Sequence, residues 1–189
     1  MIARNVVNRV DALLRPLGFV RRKALWNRKA GPFIDIIELQ LSKAGDAITV
    51  NLGVLHMEVF GQCWNSEPPT FADATAATVS ARVGRLIDGK DVWWETAEPA
   101  LPEKVTRAIE TFVLPFLANM HSLKAMEKFL EESEVLNHDY PLPIITLALV
   151  KHTTGDREAA CQVLADLNRK TTSAWQARVS DVRHRLGCA

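Results

Sequence analysis

Ile48-Thr49-Val50-Asn51-Leu52-Gly53-Val54 decides the fold class: apolar side chains stand at every second position, with Thr49, Asn51 and Gly53 between them. Successive side chains of a strand point to opposite faces, so this stretch is a strand with one apolar and one polar side. A strand of that kind belongs to an antiparallel sheet that has one face against helices and the other toward water. Upstream, residues 33–42 are strand-like and meet the alternating segment through the turn residues Ala44-Gly45-Asp46. Residues 19–28 are strand-like as well, set apart by Lys29-Ala30-Gly31-Pro32, which predicts a hairpin with a basic first arm.

Toward the N-terminus, Ile2, Val6, Val10, Leu13 and Leu17 recur at helical spacing, with Val7 and Leu14 widening the stripe. The pattern predicts an amphipathic helix over 2–16, stopped by Gly18. Downstream, residues 57–65 read as a further strand, Ser66-Glu67-Pro68-Pro69-Thr70 as a break, and residues 78–87 as a β-branched strand that turns at Asp88-Gly89. A short arm then carries Trp93 and Trp94. Pro102 opens a helix with an apolar stripe of Val105, Ile109, Phe112, Val113 and Phe116, which Pro115 should kink or end. Beyond Ser122 the chain is helix-like in four segments, 123–130, 143–151, 156–167 and 173–186, with a linker near 134–142.

The order of helix, antiparallel strands and helices predicts an α+β fold: a sheet with helices packed on one face, plus a C-terminal helical extension. The expected division is an α+β domain over 1–121 and the helical extension over 122–189. With 189 residues, 48% of them apolar and 24% charged, the composition is that of a globular protein with a sizeable core. Arg4, Asn5, Asn8, Arg9 and Asp11 interrupt the opening segment, and no apolar run is long enough to span a bilayer, so the expected location is the cytoplasm without membrane attachment. Cys63, Cys161 and Cys188 are odd in number and far apart, which predicts reduced thiols.

Leu14-Arg15-Pro16-Leu17-Gly18-Phe19, the alternating strand at 48–54, Arg82-Val83-Gly84-Arg85-Leu86, Trp93-Trp94 and Leu114-Pro115-Phe116-Leu117 follow one another in a characteristic order. Over residues 10–120 this series resembles an uncharacterised bacterial family, the domain-of-unknown-function family forty-three-oh-four. The resemblance implies a domain type without an assigned reaction. It does not cover the region past about residue 122, where Leu147-Ala148-Leu149 and Gly155-Asp156-Arg157-Glu158-Ala159-Ala160 resemble the turn of a tetratricopeptide-type helix pair.

Chemistry-bearing motifs are sparse. His56, His121, His138, His152 and His184 fall at no metal-ligand spacing, and the chain has no glycine-rich phosphate loop and no nucleophile elbow. No catalytic residue, metal or cofactor is therefore expected. His56-Met57-Glu58 would put an imidazole and a carboxylate on the same side of a strand, an arrangement that is ordinarily just solvated. The stronger candidate is the polar side of the sheet, where Gln40, Asn51 and Arg82 share a face if the strands pair in phase, with Arg85 and Trp94 beside them. An arginine fork suits carboxylates or phosphates, although the same pattern fits a plain solvated face.

These observations point first to a non-catalytic module that binds a protein partner through Gln40, Asn51, Arg82, Arg85 and Trp94, with the helical tail open to oligomer formation. The formal net charge of +1 is unevenly spread, and the alternative is a nucleic-acid-binding module. It would use Arg21, Arg22, Lys23, Arg28 and Lys29 for phosphates and Trp26 for stacking. A third reading is a small-molecule enzyme whose Arg82 and Arg85 hold an anionic substrate.

Overall fold

The computed structural model describes residues 4–133 and 140–188. Ile2, His138 and most of the expected linker at 134–142 lie outside the described residues. Packing divides the chain into two compact units. A sheet unit comprises Met1–His56 and Pro69–Asn119, and a helical unit comprises Met57–Pro68 and Met120–Ala189.

The sheet unit begins with α1 (Arg4–Leu14), whose Val6, Val10 and Leu14 are buried along one stripe, as their spacing predicts. A 3-10 turn over Arg15–Leu17 ends at Gly18, whose φ of 86° is the left-handed conformation that glycine adopts without strain. The basic arm is itself a hairpin: β1 (Val20–Arg22) turns back into β2 (Leu25–Ala30), with Lys23 left-handed at φ 57°. No glycine or proline marks this turn, so the sequence read one strand where there are two. β3 (Phe33–Leu41) and β4 (Ala47–His56) follow, then β5 (Val79–Arg82) and β6 (Trp94–Glu95). The order is β1-β2-β3-β4-β5, antiparallel throughout, with β6 also pairing β4.

Register gives each face its character. Trp26, Ile37, Leu52 and Ala81 stand opposite one another on one side, together with the fully buried Val50 and Val54. α1 is bound to that side, because Trp26 Nε1 donates to Asp11 Oδ1 at 3.1 Å. α1 in turn lies against α4 (Leu101–Ala108).

Two expected strands are largely helical. Residues 57–65 form α2 (Met57–Trp64), and the expected strand at 78–87 keeps only β5 before α3 (Val83–Ile87) begins. Glu58 therefore stands on a helix, while His56 ends β4 with its ring 5.0 Å from Phe33, so strand alternation does not relate the two side chains. Pro115 does not end the helical run. α4 continues through a widened π turn, Ile109–Val113, into α5 (Leu114–Asn119). The wide turn precedes the proline, which has no N–H to donate and whose ring crowds the carbonyl one turn back.

In the helical unit, α6 (Leu123–Glu132), α7 (Leu142–Thr153), α8 (Arg157–Lys170) and α9 (Ser173–Arg185) follow the predicted segments closely. α7 is its centre, with Ile145, Ala148, Leu149 and Val150 fully buried, and both α2 and α8 lie against it. Lys151 joins α7 to α6 by bridging Glu127 at 2.7 Å and Glu131 at 2.5 Å, and those carboxylates hold its ammonium above the usual lysine range. Cys161 and Cys188 form a disulfide with their Cα atoms 5.4 Å apart, which corrects the expectation of reduced thiols for this pair. Their separation of 27 residues conceals a contact that appears only when α9 runs back along α8. Cys63 is free and buried.

Asp11 ties the sheet unit together. Burial works against its charge, but hydrogen bonds from Trp26 and Arg15 and the nearby Arg21 guanidinium outweigh that cost and hold the carboxyl below the usual range. Its folded pKa lies below the unfolded value, so its contribution is complete above the ordinary 3.8 and is lost as pH falls through the folded pKa. Asp11→Ala strips the acceptor from the buried indole N–H, and the expected destabilisation at neutral pH is about 1–3 kcal/mol. Urea unfolding at pH 7 and in acid checks this, with the gap between variant and wild type closing in acid.

Candidate polar site on the sheet

The opposite face of the sheet carries a row that spans five strands: Arg22, Leu25, Glu38, Asn51 and Arg82 stand opposite one another in register. Asn51 is at its centre. Its Nδ2 donates to Gln40 Oε1 at 2.9 Å, and its side chain also hydrogen-bonds Glu38. Thr49 lies opposite Gln40, fully buried, and its hydroxyl has no hydrogen-bond partner among the described residues. The structure thus brings Gln40, Asn51 and Arg82 onto one face, as period-two alternation places them.

The face is not left to water. Residues 71–77 of the same unit run over it at several points. Asn27 Nδ2 donates to Ala72 O at 2.9 Å, and Asn27 Oδ1 accepts from Ala72 N at 2.6 Å. Arg22 lies over the Phe71 ring at 4.5 Å. Gly53 permits the closest approach, since a Cβ there would sit 2.7 Å from Ala77 Cβ and 2.9 Å from Val79 O. The same segment brings Asp73 toward Glu38 and gives Glu38 a backbone hydrogen bond from Ala74.

Arg82 occupies the end of β5. Its Nη1 donates to Asp91 Oδ2 at 2.7 Å, and its Cζ lies 5.4 Å from the centroid of Trp93. Trp93, rather than Trp94, is therefore the indole at the arginine. Trp94 pairs with Ile48 in β6 and shares the face of Ile48. Arg85 lies on α3 and donates to Gly89 O at 3.0 Å, bracing the turn that carries Asp91. Glu38, Asp73, Asp91 and Trp93 were not expected at the site. Glu38 was within reach of sequence reasoning, because it shares parity with Gln40, whereas Asp73 and Asp91 arrive on loops.

The basic hairpin is divided by its own register. Trp26 and Arg28 fall on the helix-covered side, where Trp26 is fully buried, while Lys29 pairs with Ile34 on the other side. Arg21 lies 3.6 Å from Asp11, and Arg28 pairs with the fully buried Asp35 at 2.7 Å while covering the Phe19 ring. Arg22 is engaged by Phe71, and Lys23 is exposed at the turn. Trp26 offers no open ring face for stacking a base. Among the described residues no three His, Cys, Asp or Glu side chains gather as a metal cluster, and no helix is long and apolar enough to cross a membrane.

An α+β unit with a crossed-over polar sheet face is the class this geometry defines. Residues 10–119 match the family described as a domain of unknown function, DUF4304, and the chain belongs to that family. No curated protein and no solved structure matches it.

Burial, and then the facing Asp73, push the Glu38 carboxyl above its ordinary value of 4.5 despite hydrogen bonds from Asn51 and Ala74. Because the folded pKa exceeds the unfolded one, ionised Glu38 costs stability at neutral pH, and that cost vanishes once pH falls below the unfolded pKa. Glu38→Gln keeps an acceptor without the charge. Thermal melts should show the variant more stable than wild type at pH 7 and level with it in acid; a variant less stable at pH 7 contradicts this account.

The family match ends at residue 119, yet α2, inside the matched stretch, finds α7 only in the helical unit. A fragment of residues 1–119 should expose Val59 and Cys63 and lose amide protection over 57–64 relative to the full chain. Hydrogen exchange measures the difference directly.

Proposed function

We propose that the chain is a non-catalytic binding module whose protein partner presents a carboxylate to Arg82. The observation that supports this is the way the guanidinium is held. The Trp93 ring centroid lies 5.4 Å from its Cζ, and Asp91 occupies one edge through an ion pair whose side chains are 38% and 49% exposed. An exposed pair of this kind contributes about 0–1 kcal/mol, so a partner's carboxylate replaces Asp91 at little cost. A guanidinium carries several donors, and bidentate recognition of a carboxylate uses two of them in parallel. Asn51, next in the row, and Gln40, bonded to it, supply neutral hydrogen-bonding groups, while Glu38 beyond Asn51 repels a carboxylate approaching from that side.

The nucleic-acid reading has less support, because Trp26 is in the core and Arg21 and Arg28 each lie against a carboxylate. The location that goes with the binding reading is the cytoplasm, a reducing compartment in which a disulfide forms only conditionally.

The test is capture from nuclease-treated lysate by the tagged full chain, compared with Arg82→Ala/Asn51→Ala. The double variant should keep the wild-type circular dichroism spectrum and lose a stoichiometric protein, while Asp91→Asn retains or strengthens its capture. Identical captured proteins for wild type and double variant would sink the reading.

A further inference from the structure

We propose that Cys161 and Cys188 are a reversible thiol–disulfide latch that fixes α9, and through α9 the end of α2, within the helical unit. The arrangement starts from helix spacing. Arg157 and Cys161 are four residues apart on α8 and so share one face of it. Both engage the turn that follows α9. Arg157 Nη2 donates to Gly187 O at 2.6 Å, and Cys161 bonds Cys188. The turn is shaped for this: Gly187 has φ 66°, Gly187 N donates to His184 O at 3.0 Å, and Cys188 N donates to Arg183 O at 2.9 Å. An added Cβ at Gly187 would lie 2.5 Å from Arg157 Nη2, so a side chain there would displace the guanidinium from its place against the turn.

What the latch holds is visible at the end of α2. The last carbonyls of a helix have no partner within it. Here α9 supplies partners: Arg178 donates to Cys63 O at 3.1 Å while its guanidinium lies 3.9 Å from the Trp64 ring centroid, and Arg185 donates to Gln62 O. Arg185 is only three residues before Cys188, so freeing the turn loosens the arginine that caps α2.

The chemistry is an exchange with a low-molecular-weight disulfide. One cysteine thiolate attacks that disulfide, forming a mixed disulfide and expelling a thiolate that takes up a proton. The second cysteine then displaces the remaining small thiol, and the Cys161–Cys188 bond forms as the small disulfide is reduced to two thiols. Two equivalents of the small thiol reverse both steps, reducing the Cys161–Cys188 bond and re-forming the small disulfide. Cys161 and Cys188 are only half-buried and accessible to such reagents. Cys63 is kept out of the exchange by burial, which pushes its thiol above the usual range despite Arg178 nearby.

The experiment is hydrogen exchange on the full-length chain, without denaturant, in matched buffers of reduced or oxidised glutathione, with peptide mapping of the bond. The result expected is reduction and re-formation in the folded protein, with exchange over 183–188 faster by about tenfold on reduction and a smaller rise over 62–65. Cys188→Ser and Cys161→Ser should each match the reduced form and ignore the buffer. Three results overturn the proposal: a bond that opens only when the chain unfolds, unchanged exchange on reduction, or mapping that links Cys63.

Discussion

The pairing of β3 with β4 is the constraint on which the sheet unit depends. Phe33 to Leu41 stands against His56 to Ile48 without a bulge; β2 takes its phase from β3, β5 and β6 from β4, and β1 from β2. A slip of β3 by one residue along β4 would carry Glu38 to the helix side and expel the fully buried Ile37. Two features oppose that slip. The apolar side is sealed by α1 through Asp11 and Trp26, and the connecting turn is fixed by one side chain. Ser42 Oγ accepts from the amides of Gly45, Asp46 and Ala47 and donates to Asp46 Oδ1 at 2.7 Å.

That register also explains which parts of the site were legible. Gln40, Asn51 and Arg82 share a face because each has the right parity on a strand whose phase the apolar residues reveal. Glu38 has the same parity, but a lone acid on a polar face gives no signal until the loop that bears Asp73 is seen to approach it. The path of residues 71–77 depends on Asn27 gripping Ala72 across 45 positions of sequence and on Gly53 lacking a side chain. Neither is a local pattern. Trp93 and Trp94 illustrate the same limit, since adjacency says that they diverge and only the Ile48 pairing says which one meets Arg82.

The two segments that read as strand but fold as helix share one physical cause. A short apolar run has no intrinsic preference strong enough to choose between strand and helix, so its partners choose. α2 is helical in the unit where it meets α7, more than seventy residues onward, and the arginines of α9 satisfy its last carbonyls. The β1–β2 turn is hidden for a different reason: Lys23 takes up a left-handed conformation that sequence punctuation normally assigns to glycine or asparagine. By contrast, α6 and α8 have starts that capping residues mark, at Ser122 and Asp156.

A formal charge of +1 conceals how differently the arginines are used. Arg28 neutralises Asp35 in the core, where an unpaired carboxylate would be costly. Arg178 and Arg185 serve as helix caps, spending their donors on backbone carbonyls. Arg15 and Arg21 lie against the same Asp11. In each case the guanidinium is committed to an acceptor that cannot leave without breaking the fold. Arg82 differs: its counter-ion stands on an exposed turn, and its other neighbour, the Trp93 ring, uses none of its donors. A cation already oriented and only weakly neutralised loses little on exchanging one carboxylate for another, and that physical distinction separates Arg82 from Arg21 and Arg28 of the N-terminal hairpin.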